Sequence, residues 1–200
     1  VNRVWAQHFG KPLVGQPSDF GVQTDAPAQQ EVLDYLAATL MEESWSLKKL
    51  HQRIVTSRAW QQASRVTAEK ALKDADNELI SRQNRQRLDY EAMRDAMLQV
   101  TGELNAAQVG GRAVALNDKA ADTRRTLYLL VDRYEQATVP AMFDFANPDS
   151  HSPMRYNTTV PQQALFLMNS PFLRQRSGTL AEKTPVQGSA IDSQAIEALY

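Results

Sequence analysis

Two carboxylates stand on either side of a proline turn in the segment FDFANPD at 143–149. Asp144 and Asp149 flank Asn147 and Pro148, and a rigid loop that presents two acids can supply the acid and the base of a hydrolytic reaction. The competing interpretation is structural, because Asp and Asn beside proline commonly hydrogen-bond to their own backbone in turns. We therefore treat the two carboxylates as catalytic candidates with a structural alternative.

The densest polar segment, RYNTTVPQQ, follows at 155–163 and runs directly into an apolar stretch. Arg155, Asn157 and Gln163 are candidates for binding a sugar hydroxyl or an anion, because the start of a helix presents free backbone N–H groups. Arg155 and Asn157 are also candidates for a catalytic set.

Helix capping is the alternative role of this segment. Thr159 and Gln162 have the spacing of a capping box, which accounts for both residues without a ligand. Pro161 prefers the first helical position, however, and that preference makes Val160 the N-cap instead.

A loop rich in proline and glycine at 11–28 carries the motif PSDFG at 17–21. Asp19 within it is a further catalytic candidate. Trp5 lies close in sequence and is a candidate ligand-binding residue, because aromatic faces stack on sugar rings. The alternative is that these aromatic residues seal the loop onto the core.

The three histidines, His8, His51 and His151, show no metal-ligand spacing with another His, Asp or Glu on one helical face. The chain has no cysteine, which excludes disulfides, Cys-based zinc sites and covalent haem attachment within it. The sequence therefore predicts no metal site and no cofactor in this segment.

Helical periodicity dominates the elements that must position these residues. Apolar residues recur every three or four positions, and Gly10 and Ser46 stand where a helix end and an N-cap are expected. The predicted helices or core stripes cover 1–9, 29–41, 47–55, 88–104 and 162–169.

The pattern changes after Gly110 and Gly111, where 113–116 and 126–131 favour strands because of their β-branched and aromatic content. We predict a small hairpin at about 112–131. The expected fold class is mainly α, an irregular helical domain with one small β-hairpin.

The predicted organisation is a single helical domain at 1–176, a linker or loose connection at 177–190, and the start of a further helix, truncated, at 191–200. The chain opens without Met and stops inside a helical pattern, so both ends look like cuts in a longer protein.

Composition excludes several classes of function. The 22 Lys and Arg residues nearly balance the 23 Asp and Glu residues, so no strongly basic surface for nucleic acid is expected. No apolar run approaches the roughly 18–20 residues of a membrane span.

Six segments of the sequence, taken together, are more specific than helical patterning alone would produce. They are VNRVWAQHFG at 1–10, PSDFG at 17–21, LHQRIVTS at 50–57, NRQRLDYEAMRDAML at 84–98, FDFANPD at 143–149 and RYNTTVPQQALFLMNSPF at 155–172. In this order they resemble the planctomycete-specific domain of unknown function that lies toward the C-terminus of large exported proteins with planctomycete cytochrome-c domains.

The resemblance implies an extracytoplasmic location, partners among the other domains of the parent protein, and haem on a neighbouring segment, since Cys-x-x-Cys-His is absent here. We expect a non-catalytic scaffold or interaction module, associated with polysaccharide or with the haem domain. The alternative is a carbohydrate-active hydrolase or a haem-assisted oxidoreductase. That alternative requires Asp19, Asp144, Asp149, Arg155 and Asn157 to converge on one cleft, whereas a binding module predicts an exposed apolar patch near Trp5 or at a cut end.

Overall fold

The computed structural model describes residues 1–21, 24–113, 122–134 and 138–183. These residues form eight α-helices and one 3-10 turn, and they contain no regular strand. The chain divides into two compact units, unit 1 (Val1–Arg87) and unit 2 (Leu88–Tyr200). The helices are α1 (Asn2–Phe9), α2 (Gln30–Glu42), α3 (Leu47–Val55), α4 (Ala68–Lys73), α5 (Tyr90–Val100), α6 (Thr138–Met142), α7 (Pro161–Asn169) and α8 (Pro171–Lys183).

The core of unit 1 forms where α1, α2 and α3 pack together. Trp5 and Phe9 are one helical turn apart, so they share a face of α1, and their rings stack with centroids 4.0 Å apart. Four further buried side chains complete this core: Leu36, Leu40, Leu50 and Ile54.

Local signals end and begin these helices as the sequence predicts. Gly10 closes α1 with a φ of 75°, a left-handed conformation that suits glycine. The Ser46 hydroxyl accepts a hydrogen bond from the Lys49 N–H and caps α3. Both predicted helix boundaries are therefore confirmed.

A buried asparagine organises the irregular segment after α4. The Asn77 amide donates to the Arg82 carbonyl and to Asn84 Oδ1, and its own oxygen accepts from the Arg82 N–H. Arg82 in turn donates to the carbonyl groups of Asp74 and Ala75. Side chains thus satisfy backbone groups that no helix or strand would satisfy here.

Helix α5 is the centre of unit 2. Leu98 is fully buried, and one turn before it the buried Arg94 donates to the Arg124 carbonyl at 3.0 Å and to the Thr126 hydroxyl at 3.1 Å. The same guanidinium donates to the Asp122 carbonyl and lies over the ring of Phe172, 5.5 Å from its centroid.

The predicted β-hairpin at about 112–131 is not supported. Thr126–Tyr128 forms a 3-10 turn where the second strand was expected, and the β interaction seen nearby is an isolated bridge between Asn105 and Arg124. The Thr126 N–H and hydroxyl both donate to Asp95 Oδ1, at 2.7 and 2.6 Å. Side chains of α5 therefore bind the polar groups that a strand partner would have bound. Residues 114–121 of the predicted hairpin lie outside the described part of the chain.

The C-terminal helices settle the capping alternative. Val160 is the N-cap of α7 and Pro161 occupies its first turn, as proline chemistry predicts, so the N-cap is Val160 and not Thr159.

Two features of the structure concern the expected domain organisation. Helix α8 continues through 177–183, where the sequence suggests the beginning of a linker. The boundary between the units, at Arg87 and Leu88, falls within the segment 1–176 that was expected to be one domain. The rest of the proposed linker and the final helix, at 184–200, lie outside the described residues.

Truncation of Leu98 tests the centre of unit 2. We expect Leu98→Ala to lower the free energy of unfolding by about 2–5 kcal/mol, because it leaves a cavity in a fully packed site. Val100→Ala on the same helix is the control, since Val100 is 57% exposed and its truncation should change stability by no more than about 0.5 kcal/mol. Urea unfolding followed by far-UV circular dichroism measures both, and equal effects would contradict this packing.

Candidate functional site

A cleft of about 440 Å³ opens on unit 2. One wall is the first half of α5, the second is the chain around the 3-10 turn, and the third comes from the two polar motifs that follow. The lining residues are Asp89, Glu91, Ala92, Asp95, Arg125, Thr126, Leu127, Leu129, Val131, Phe145 and Arg155.

Arg155 binds across the cleft to the start of α5. Its guanidinium forms a bidentate ion pair with Glu91, with N–O distances of 2.9 and 2.7 Å, and lies 3.9 Å from Asp89. It also covers the ring of Phe145, at 4.7 Å from the centroid. The hydrogen bonds that Arg155 donates to Glu91 raise the pKa of Arg155 and so favour its charged form.

A second pair of opposite charges joins α5 to the chain around the 3-10 turn, which forms the second wall. Asp95 accepts the Thr126 bonds and also lies 3.4 Å from Arg125 Nε. Leu127 and Val131 extend this wall with side chains that are 71% and 51% exposed. The cleft therefore combines fixed donors and acceptors with exposed apolar surface.

Asp144 binds within the polar segment that follows it. Its carboxylate accepts from the Thr158 N–H at 2.8 Å and from the Thr158 hydroxyl at 2.6 Å. Its backbone has a φ of 60°, in the left-handed region that Asp tolerates better than most residues. Asp144 thus joins the motif at 143–149 to the motif at 155–163 through hydrogen bonds.

Asp149 has a different environment. It is exposed, and its N–H donates to Asn147 Oδ1 at 2.9 Å, the local turn that the structural alternative predicts. Neither Asp144 nor Asp149 lines the cleft.

Asn157 and Gln163, two ligand-binding candidates in the second motif, differ in their exposure to solvent. Asn157 is exposed, whereas Gln163 is buried and its amide donates to the carbonyl groups of Met142 and Thr158, at 3.0 and 3.2 Å. Gln163 is therefore engaged by the protein and faces no open surface.

Two candidates belong to unit 1. Asp19 accepts from the Gly21 N–H at 2.9 Å, and its carbonyl accepts from the Thr24 hydroxyl. Trp5 is 6% exposed and stacks on Phe9, so it packs in the core, although one edge borders a smaller cleft of about 280 Å³.

The five catalytic candidates do not converge on the larger cleft. Arg155 is the one of the five that lines it, and Asp19 lies in the other unit.

Sequence reasoning missed four charged residues of the cleft. Glu91 and Asp95 are one helical turn apart, a spacing that places two carboxylates on one face of α5. Asp89 precedes them as the N-cap, accepting from the Ala92 N–H at 2.8 Å. The spacing of Glu91 and Asp95 is visible in the motif at 84–98. Arg125, the partner of Asp95, lies in a distant segment of the sequence.

A family model covers residues 1–200, and its description is PSD1, protein of unknown function (DUF1553). The chain belongs to the PSD1 family. Membership confirms the resemblance of the six motifs to a domain of unknown function. No curated protein and no solved structure matches this PSD1 chain.

The residues that the structure describes hold no group of three or more His, Asp or Glu side chains suited to a metal ion. Among those same residues, every helix is too short or too polar to cross a bilayer.

A pair of substitutions distinguishes the role of Asp144, which joins two motifs, from that of Asp149, which lies in a local turn. We expect Asp144→Ala to lower the free energy of unfolding by about 1–2 kcal/mol, because it removes two acceptors and leaves alanine in a left-handed conformation. Asp149→Ala should change it by no more than about 0.5 kcal/mol. Thermal unfolding followed by circular dichroism compares them, and a loss at Asp149 as large as at Asp144 would be inconsistent with these contacts.

Proposed function

We propose that this PSD1 chain is a non-catalytic interaction module that binds polysaccharide in the cleft of unit 2. We place it in an exported planctomycete protein whose haem is carried by a separate cytochrome-c domain. The extracytoplasmic and haem-linked setting rests on the resemblance of the six motifs. The binding role rests on the cleft.

The observation that carries the proposal is that the charged groups of the cleft are paired with each other. Glu91 is held by Arg155, Asp95 by Thr126 and Arg125, and Asp89 by the start of α5. Groups fixed in this way form a rigid array of hydrogen-bond donors and acceptors. A catalytic site additionally needs a nucleophile, acid or base placed within hydrogen-bond reach of the reacting atoms of a substrate.

The chemistry of a sugar chain suits this array. Sugar hydroxyls both donate and accept, so they can bind to guanidinium N–H groups and to carboxylate oxygens at once. The apolar face of a sugar ring fits against Leu127 and Val131, which are exposed at the rim. A small set of placed polar groups beside apolar surface is the usual composition of a ligand site.

The alternative function, a carbohydrate-active hydrolase or a haem-assisted oxidoreductase, gains no support from the geometry. It was based on five polar residues meeting at one cleft, and the contacts of three of them, Asp19, Asp144 and Asp149, instead hold turns or join motifs. We therefore assign these three residues a structural role.

The proposal predicts that Arg125→Ala weakens polysaccharide binding. The Arg125 side chain is 56% exposed at the cleft wall, so its loss should cost little stability while removing a donor from the site. We expect at least a roughly tenfold loss of affinity, the size of one charge-assisted hydrogen bond. Arg174→Ala is the matched control, because Arg174 is exposed on α8 and does not line the cleft.

Affinity gels and a glycan array on the purified chain measure the effect. Binding that Arg125→Ala weakens and Arg174→Ala leaves intact supports the cleft. Absence of binding to every polysaccharide, or equal binding by both variants, contradicts it. Release of reducing sugar ends at a rate that Asp144→Asn lowers would contradict the non-catalytic assignment.

A further inference from the structure

Two of the three histidines meet in unit 1, outside the cleft already described. His8 lies on α1 and His51 on α3, and His8 Nε2 is 2.7 Å from His51 Nδ1. The ring centroids are 5.0 Å apart, with an angle of 66° between the ring planes. The two residues are 43 positions apart, so no spacing rule within one helix could detect the pair.

We propose that His8 and His51 form a two-histidine site for a divalent transition-metal ion, with the remaining coordination positions open to water or to a donor from a binding partner. Zn²⁺, Ni²⁺ and Cu²⁺ are the ions that imidazole ligands suit. Metal–nitrogen bonds of about 2.0–2.1 Å place two ligand nitrogens roughly 3 Å apart. To admit the ion, the rings need to separate slightly and to turn, so that both nitrogen lone pairs point at the metal.

The backbones that carry the two rings are already fixed. The carbonyl group of His8 accepts hydrogen bonds from Gln83 and Gln86, at 3.0 and 2.9 Å, which anchors the end of α1. On α3, His51 lies between Leu50 and Ile54 in the sequence. Both of these side chains are buried in the core, with 2% of their surface exposed. The backbone positions of both ligands are therefore held in place before an ion binds, and the rings need only to reorient.

The surroundings of His8 favour its neutral form, because burial and the neighbouring His51 lower its pKa. Neutral imidazole is the form that coordinates metals. In the metal-free pair, one ring donates the shared proton and the other accepts it.

Two protein ligands set the expected strength and selectivity. The described residues offer no third His, Asp or Glu to complete a closed site, so the ion keeps exchangeable positions. The Irving–Williams order then predicts that Cu²⁺ binds more tightly than Ni²⁺ or Zn²⁺.

Trp60 provides an internal reporter of binding. Its ring lies edge-on to His8, with centroids 6.4 Å apart. A paramagnetic Cu²⁺ ion at the pair should quench its fluorescence, whereas Zn²⁺ at the same place should not.

The test is a titration of the full chain with Cu²⁺, Ni²⁺ and Zn²⁺, each alone, by calorimetry and by tryptophan fluorescence. We expect His51→Gln to weaken Cu²⁺ binding at least tenfold, and to abolish the rise in melting temperature that a ligand specific for the folded state produces. His151→Gln is the matched control, because it removes the histidine that lies in unit 2. His51 is exposed, so its replacement should leave the metal-free melting curve unchanged.

Electron paramagnetic resonance of the Cu²⁺ complex gives a readout that depends on no variant. Coupling to two imidazole nitrogens supports the site. Coupling to fewer than two, or a Cu²⁺ affinity that His51→Gln and His151→Gln change equally, would overturn it.

Discussion

The guanidinium group of Arg94 holds the chain segment that forms one wall of the cleft. From the middle of α5 it donates to the carbonyl groups of Asp122 and Arg124 and to the hydroxyl of Thr126. A buried guanidinium loses its hydration, so these bonds and the contact with the ring of Phe172 must offset that cost. With this segment in place, Thr126 reaches Asp95 and the cleft has its charged wall.

The same physical problem recurs wherever the chain is irregular, because buried backbone groups need partners. Arg124 donates to the carbonyl groups of Gly110 and Arg112, and its hydrogen bonds also lower the pKa of Asp122. In unit 1, Asn77 plays this part for the segment after α4. Polar side chains such as Arg124 and Asn77 thus satisfy backbone groups in irregular segments, and a concentration of polar residues is by itself no sign of catalysis.

What the sequence predicted correctly depends on local signals. Helix α2 was expected at 29–41 and spans Gln30–Glu42, because a buried stripe repeats with the helical period. Gly10 and Ser46 were identified because caps act within one turn. Pro161 was expected at the start of α7 because its ring fixes φ and it has no backbone N–H, which suits the first turn of a helix.

What the sequence missed depends on contacts between distant residues. The 126–131 segment has strand-like composition, but Asp95 and Arg94, about 30 residues earlier, bind its polar groups instead. The stacking of Trp5 on Phe9 accords with the alternative that this aromatic residue packs in the core. The pairing of His8 with His51 was also missed, since each is unremarkable on its own helix. Side-chain types reveal such pairs only when the fold brings them together.

Hydrogen exchange on an Arg94→Met variant tests the central claim most directly. If Arg94 holds the cleft wall, backbone amides at 122–134 should exchange at least about tenfold faster than in the unmodified chain, the effect of losing roughly 1.4 kcal/mol of local stability. Peptides from α2 and α3 in unit 1 should exchange at their original rates. Unchanged exchange at 122–134 in a folded variant would show that this wall is held by something other than Arg94.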